Sequence, residues 1–183
     1  MLLIPVHTAP HKPGGEDPGP EHRLRMCQLL LESAESADGL SVCAVEIERG
    51  GPSYTVDTLS AIHASHPDAQ LTLIVGADTA STLPTWRQPA KLLDLADLAV
   101  AVRTGSARQQ VRDSVARLRT AAPSGRPRAG GVKFLEMPEI EISSSGARLR
   151  AARGEPIEGL VGAAVARYID EHRLYRSASE VPS

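Results

Sequence analysis

Leu71-Thr72-Leu73-Ile74-Val75, closed by Gly76, constrains the fold more than any other stretch of the chain. A short, nearly continuous apolar run is how a strand buried on both faces of a parallel sheet reads. Similar runs occur at Leu2–Val6, Leu98–Val102 and Val132–Leu135. A less regular one spans Leu40–Ile47, through Val42, Ala44 and Ile47. Between these lie stretches with helical spacing: Glu21–Ala37, Tyr54–Ser65, Thr79–Leu83, Gln88–Leu95, Ala107–Leu118, Ser144–Arg153 and Leu160–His172. Strands alternating with helices specify an α/β fold with a mainly parallel sheet. Ligands of such sheets bind beyond the carboxyl ends of the strands, so residues that follow each strand are the first candidates for a site.

Bulk properties narrow the function classes. A chain of 183 residues is ample for one core and short for two, so residues 1–183 read as a single domain, with 176–183 a frayed tail. Aromatics make up only 3%, which leaves Ala, Leu and Val to fill that core. A net charge of −2 argues against a nucleic acid held by bulk electrostatics, though local arginines and lysines can still bind a small anion. Cys27 and Cys43 match no zinc spacing and read as reduced, buried thiols. No apolar run approaches the roughly 18 residues needed to span a bilayer, and the N-terminus lacks the pattern of a signal peptide. A cytoplasmic location is the default expectation, and a homo-oligomer stays open.

Several segments after strands carry chemistry. Ile142-Ser143-Ser144-Ser145-Gly146-Ala147-Arg148 places three hydroxyls and free N–H groups where a helix begins, with an arginine one turn in. Such a start is either an ordinary serine cap or a phosphate site, since helix N-termini favour anions and a guanidinium fork fits phosphate oxygens. Pro10-His11-Lys12, in a loop rich in Pro and Gly, is either solvated surface or a pair of cationic groups set against a triphosphate. Ser53-Tyr54-Thr55 opens a helix, with Ser53 the expected cap and Asp57 in the first turn. Trp86 is the sole tryptophan, and it reads as core or as a flat face for stacking on a cationic ring. Asp78, in Gly76-Ala77-Asp78, is a helix cap or a polar contact for a ligand. His22, His63, His66 and His172 sit among polar neighbours and read as surface.

Taken in order, Pro10-His11-Lys12, Ser53-Tyr54-Thr55-Val56-Asp57-Thr58-Leu59, Val75-Gly76-Ala77-Asp78 with Trp86, the Ile142–Arg148 stretch, and Tyr168-Ile169 with Leu174-Tyr175 resemble the bacterial-type nicotinate mononucleotide adenylyltransferases. The likeness runs from Leu2 to Tyr175. It implies a Rossmann-like nucleotidyltransferase fold and transfer of AMP from ATP to nicotinate mononucleotide, giving nicotinate adenine dinucleotide and pyrophosphate in NAD biosynthesis. It further implies that His11, Lys12 and Arg148 are catalytic. Gly76, Asp78, Ile142, Ser143, Ser144, Ser145 and Arg148 would bind ATP, with Asp78 on a ribose hydroxyl. Tyr54, Thr55 and Trp86 would hold the mononucleotide, Thr55 and nearby N–H groups meeting the pyridine carboxylate. Magnesium would arrive with ATP rather than in a protein cage.

The likeness has two departures. Ala9 stands where the family often has a further proline before the histidine. The family's opening strand, glycine-containing loop and His-x-Gly-His helix start have no counterpart here, and Met1-Leu2-Leu3-Ile4-Pro5 matches its second strand. The absent strand would lie between Leu2–Val6 and Leu71–Val75, so the expectation is a chain starting at an internal Met, about one 30-residue βα unit short. Three other readings stand beside the transferase: a non-catalytic nucleotide-binding protein or inactive fragment, a sister adenylyltransferase such as one acting on phosphopantetheine, and an α/β interaction domain that binds no nucleotide. Thr55 and Trp86 weigh against the sister.

Overall fold

A computed structural model of the chain describes residues 1–10, 17–102, 108–121, 131–137 and 142–176. It divides into two compact units, one built from Met1–Ser53 with Glu141–Ser183, the other from Tyr54–Ile140. Each carries a parallel sheet.

In the second unit, β3 (Leu71–Gly76), β4 (Ala96–Val102) and β5 (Val132–Glu136) are parallel in the order β3-β4-β5. Leu73 is paired with Leu98, and Leu98 with Val132. The central strand β4 buries Leu98, Val100 and Val102, as a run with no polar face must. Helices α3 (Thr55–Ser65), α4 (Ala77–Ser81), α5 (Pro89–Leu95) and α6 (Arg108–Ala121) complete the unit, with a 3₁₀ turn at Leu83–Thr85. Leu59, Leu83, Leu92 and Val111 from these helices join β4 in one core. Full burial of each such side chain stabilises the fold by about 1.5–3 kcal/mol. The strand expected at Leu71–Val75 is present, but its burial on both faces is not. Leu71, Leu73 and Val75 pack inward while Ile74 remains 49% exposed, because β3 is an edge strand covered on one face.

The short helices shift from their expected bounds. The helix expected at Thr79–Leu83 begins earlier, directly at Ala77, and gives way to the 3₁₀ turn. Gln88 precedes α5 in the left-handed region, at φ 50°, where a side chain is disfavoured.

In the first unit, β1 (Leu2–Leu3) pairs with β2 (Ser41–Val42). Both are shorter than expected. Beyond Leu3 the chain's carbonyls turn to α1 (Pro20–Glu32), where Arg23 donates to the carbonyls of Val6, at 2.9 Å, and His7. The strand expected over Leu40–Ile47 gives way to a helix, α2 (Val45–Arg49). Its first turn carries Glu46 and Glu48, its end carries Arg49, and Gly50 stops it at φ 70°, so charge placement outweighs a weak alternation. Helix α1 ends five residues before the expected Ala37, where the Ser33 hydroxyl donates to the Leu29 carbonyl at 2.7 Å. After α7 (Ser144–Ala152), the single helix expected at Leu160–His172 is two, α8 (Glu158–Val161) and α9 (Ala163–Glu171), parted by Gly162 at φ 82°. Ile157, Val165, Ile169 and Leu174 form this unit's core with Met26 and Leu29 of α1.

Three side-chain expectations also change. His22 is no solvated surface residue: its Nδ1 is 2.8 Å from the Tyr168 hydroxyl, and its ring lies 5.2 Å from that of His172. His63 buries its Nδ1. Cys27 and Cys43 are free but half-buried rather than buried, and burial pushes the Cys27 thiol up. Among the described residues no helix is long and apolar enough to cross a membrane.

Candidate functional site

Two helix starts carry most of the expected site residues, one in each unit. In the first unit, Ser143 adopts extended backbone and caps α7, its hydroxyl oxygen accepting the Gly146 N–H at 3.0 Å. Its carbonyl accepts the Ala147 N–H, also at 3.0 Å. An added Cβ at Gly146 would stand 3.0 Å from the Ser143 oxygen, so the cap is closely approached there. The cap therefore consumes one serine of three. Ser144 and Ser145 keep exposed hydroxyls and main-chain N–H groups with no partner among the described residues. No acidic residue occupies the first turn, so no side chain of that turn offsets the partial positive charge of the helix end. Arg148 is exposed, with its guanidinium carbon 5.9 Å from the Tyr175 ring centroid. Ile142, exposed just before the cap, contributes backbone rather than packing.

The start of α3, in the second unit, is built differently. Tyr54 is its N-cap residue and supplies no side-chain cap. The expected cap, Ser53, is spent elsewhere: its hydroxyl accepts the His7 N–H at 2.9 Å, while its own N–H donates to the Thr8 carbonyl at 2.9 Å. The N–H groups of Thr55 and Val56 have no partner among the described residues, the Tyr54 carbonyl taking those of Asp57 and Thr58. Asp57 is the one acid of the first turn. Arg87 meets it, Nη1 to Oδ2 at 3.4 Å, and lays its guanidinium carbon 4.6 Å from the Tyr54 ring centroid. Both charged side chains are half-exposed, so the ion pair is worth at most about 1 kcal/mol.

Trp86, next to Arg87, is half-buried against the unit's core. Its indole N–H donates to the Thr82 hydroxyl at 3.0 Å, and that hydroxyl donates to the Thr79 carbonyl at 2.8 Å. One part of Trp86 packs, as the core reading expects, and a hydrogen bond fixes the orientation of the ring. Arg87 brings the Trp86 segment and Tyr54 to one place. Gly76 stands exposed at the carboxyl end of β3, where an added Cβ would meet nothing within 4 Å. The protein's own packing does not demand glycine there. Asp78 is exposed in the first turn of α4, with its carboxylate unpartnered among the described residues. His11 and Lys12 lie outside the described residues. Among the described residues no three His, Cys, Asp or Glu side chains cluster as a metal site.

Beside Tyr54 and Trp86 the structure places Arg87 and Thr82, which the sequence reading did not single out. The Trp86-Arg87 dipeptide was the available signal, a cation next to the one tryptophan.

No family model matches the chain. Individual proteins do. It is 37% identical over 175 residues to a "probable nicotinate-nucleotide adenylyltransferase" of Symbiobacterium thermophilum, covering 96% of this chain and 80% of the relative. Proteins of the same name from Streptomyces coelicolor and Thermomicrobium roseum are 41% and 34% identical, covering 74% and 97% of this chain and 65% and 78% of theirs. In three dimensions it is similar to the Plasmodium falciparum nicotinic acid mononucleotide adenylyltransferase complexed with NaAD. That likeness has a TM-score of 0.69 over 95% of this chain and 81% of the other, at 17% identity, and bears on the fold alone. A parallel α/β architecture of Rossmann-like type, together with identities of 34–41% to proteins that share one name, settles the family: the chain belongs to the nicotinate-nucleotide adenylyltransferases, which are nucleotidyltransferases.

Proposed function

We propose that the chain transfers AMP from ATP to nicotinate mononucleotide, releasing pyrophosphate and forming nicotinate adenine dinucleotide. A phosphate oxygen of the mononucleotide attacks the α-phosphorus, and the bond from that phosphorus to the bridging oxygen of pyrophosphate breaks. The nucleophile is already anionic, so no base is required. Catalysis then consists of positioning and of stabilising charge on the equatorial oxygens.

The observation that carries this reading is the open start of α7. Ser144 and Ser145 offer hydroxyl and N–H donors, the Ser143 proton is still available as a donor, and Arg148 stands beyond them. We assign this end to ATP phosphates, with Arg148 acting on the transferred group, and on sequence grounds assign His11 and Lys12 to the triphosphate as well. Gly76 and Asp78 take the adenine nucleotide's sugar side, Asp78 accepting from a ribose hydroxyl. Tyr54, Thr55 and Trp86 take the nicotinate ring and its carboxylate. Nucleotidyltransferases use a divalent cation with ATP, and we assign Mg²⁺, which binds phosphate oxygens and keeps most of its waters.

The test is direct. The chain is incubated with ATP, Mg²⁺ and nicotinate mononucleotide, and dinucleotide and pyrophosphate are quantified separately. Equal amounts of both support the transfer, whereas pyrophosphate without dinucleotide, or neither product, rejects it.

A further inference from the structure

We infer that Arg87 sets the choice between acid and amide ligands at the start of α3, by cancelling the charge of Asp57. The inference rests on the reading of that helix start as the nicotinate pocket. Asp57 is favourable for the helix itself, because a carboxylate in the first turn complements the dipole. For a bound carboxylate the same residue is a liability. It puts a like charge within one turn of the free N–H groups of Thr55 and Val56 that must receive the ligand. Two neighbouring carboxylates oppose each other unless a cation sits between or beside them.

Arg87 is placed for that task and held there from three sides. Its Nη1 meets Asp57 Oδ2 at 3.4 Å. Its guanidinium lies over the Tyr54 ring, 4.6 Å from the centroid. Its backbone is fixed between Trp86, anchored through Thr82, and Gln88, which holds a left-handed conformation before the Pro89 start of α5. A residue needed only for surface solvation has no use for such constraint. With Arg87 present, the first turn of α3 is close to neutral in its side chains, and the helix end keeps its attraction for an anion. Without Arg87, Asp57 repels the ligand's carboxylate and leaves an amide ligand nearly unaffected. Arg87 is thus a positioning and charge-balancing residue rather than a catalytic one.

The experiment measures dissociation constants of nicotinate mononucleotide and nicotinamide mononucleotide on the full chain, by calorimetry and by quenching of Trp86, the sole tryptophan. Binding does not depend on turnover. Arg87→Ala is expected to lower the acid-over-amide ratio by about three- to fivefold, the scale of an exposed charge interaction near a helix end. Asp57→Asn added to Arg87→Ala is expected to restore the ratio, because the charge to be cancelled is gone. Circular dichroism of each variant separates lost folding from lost selectivity. An unchanged ratio in Arg87→Ala, or no recovery in the double variant, overturns the inference while the pocket reading stands. A wild-type chain that binds both mononucleotides equally overturns the pocket reading, and this inference with it.

Discussion

The starts of α3 and α7 are both anion-ready helix ends, yet they are made by opposite means. Helix α7 is capped by its own serine, keeps spare hydroxyls, and carries no acid in its first turn. Helix α3 lacks a side-chain cap, has lent Ser53 to His7, and carries an acid neutralised from outside by Arg87. The difference matches two kinds of anion. On the reading proposed above, a polyphosphate calls for many donors, and the α7 start offers them with no acid in its first turn. On the same reading, a single carboxylate on a flat cationic ring calls for few donors, a stacking surface and a balanced charge, the part we assign to α3 with Trp86 and Arg87.

The largest effect expected from this contrast is in substrate choice. The carboxylate form should exceed the amide by about 10- to 1000-fold in kcat/KM, from about 1.4–4 kcal/mol for a mismatched buried polar contact. Trp86→Ala should weaken both forms alike, since it removes the ring's partner and not the carboxylate's. Parallel assays on the two mononucleotides read this out, and equal efficiencies would erase the distinction between the two helix starts.

Next in size is Arg148→Ala, expected to lower the adenylylation rate at least about tenfold, or about 1.4 kcal/mol in the barrier. Helical content should hardly change, because Arg148 is an exposed side chain. Rates that match the parent would reduce the α7 start to a structural cap.

A stability comparison sharpens the contrast further. Ser143→Ala should destabilise the first unit by about 1 kcal/mol in chemical denaturation, the usual worth of an N-cap. Tyr54→Ala should show no capping loss, since Tyr54 makes no cap hydrogen bond. The smallest effect is the stability cost of Arg87→Ala, below about 1 kcal/mol for a half-exposed ion pair. A cost several times larger would make Arg87 a folding residue.

Much of the second unit was legible because its central strand is buried. β4 has no polar face, so Leu98–Val102 could hardly read as anything else. The first unit was less legible, because β1 and β2 are two residues each and carry too little pattern. The misreading of Val45–Arg49 follows from that: a helix of five residues has barely one period to display. The helix starts at Thr55 and Ser144 were readable because such starts carry local signals. Arg87 was not, since its partners Tyr54 and Asp57 lie some 30 residues away and only the fold joins them. Ser53 was read as a cap for the same reason, its real partner being 46 residues distant.

Gln88 shows what such a site asks of the backbone around it. A side chain held at φ 50° costs on the order of 1 kcal/mol relative to a relaxed position, and glycine would remove that cost. A search for thermostable variants would therefore be drawn to Gln88→Gly. The same change would slacken the hinge that points Arg87 at Asp57, so a sturdier protein would emerge as a less discerning one. Position 88 is where durability and discrimination pull in opposite directions.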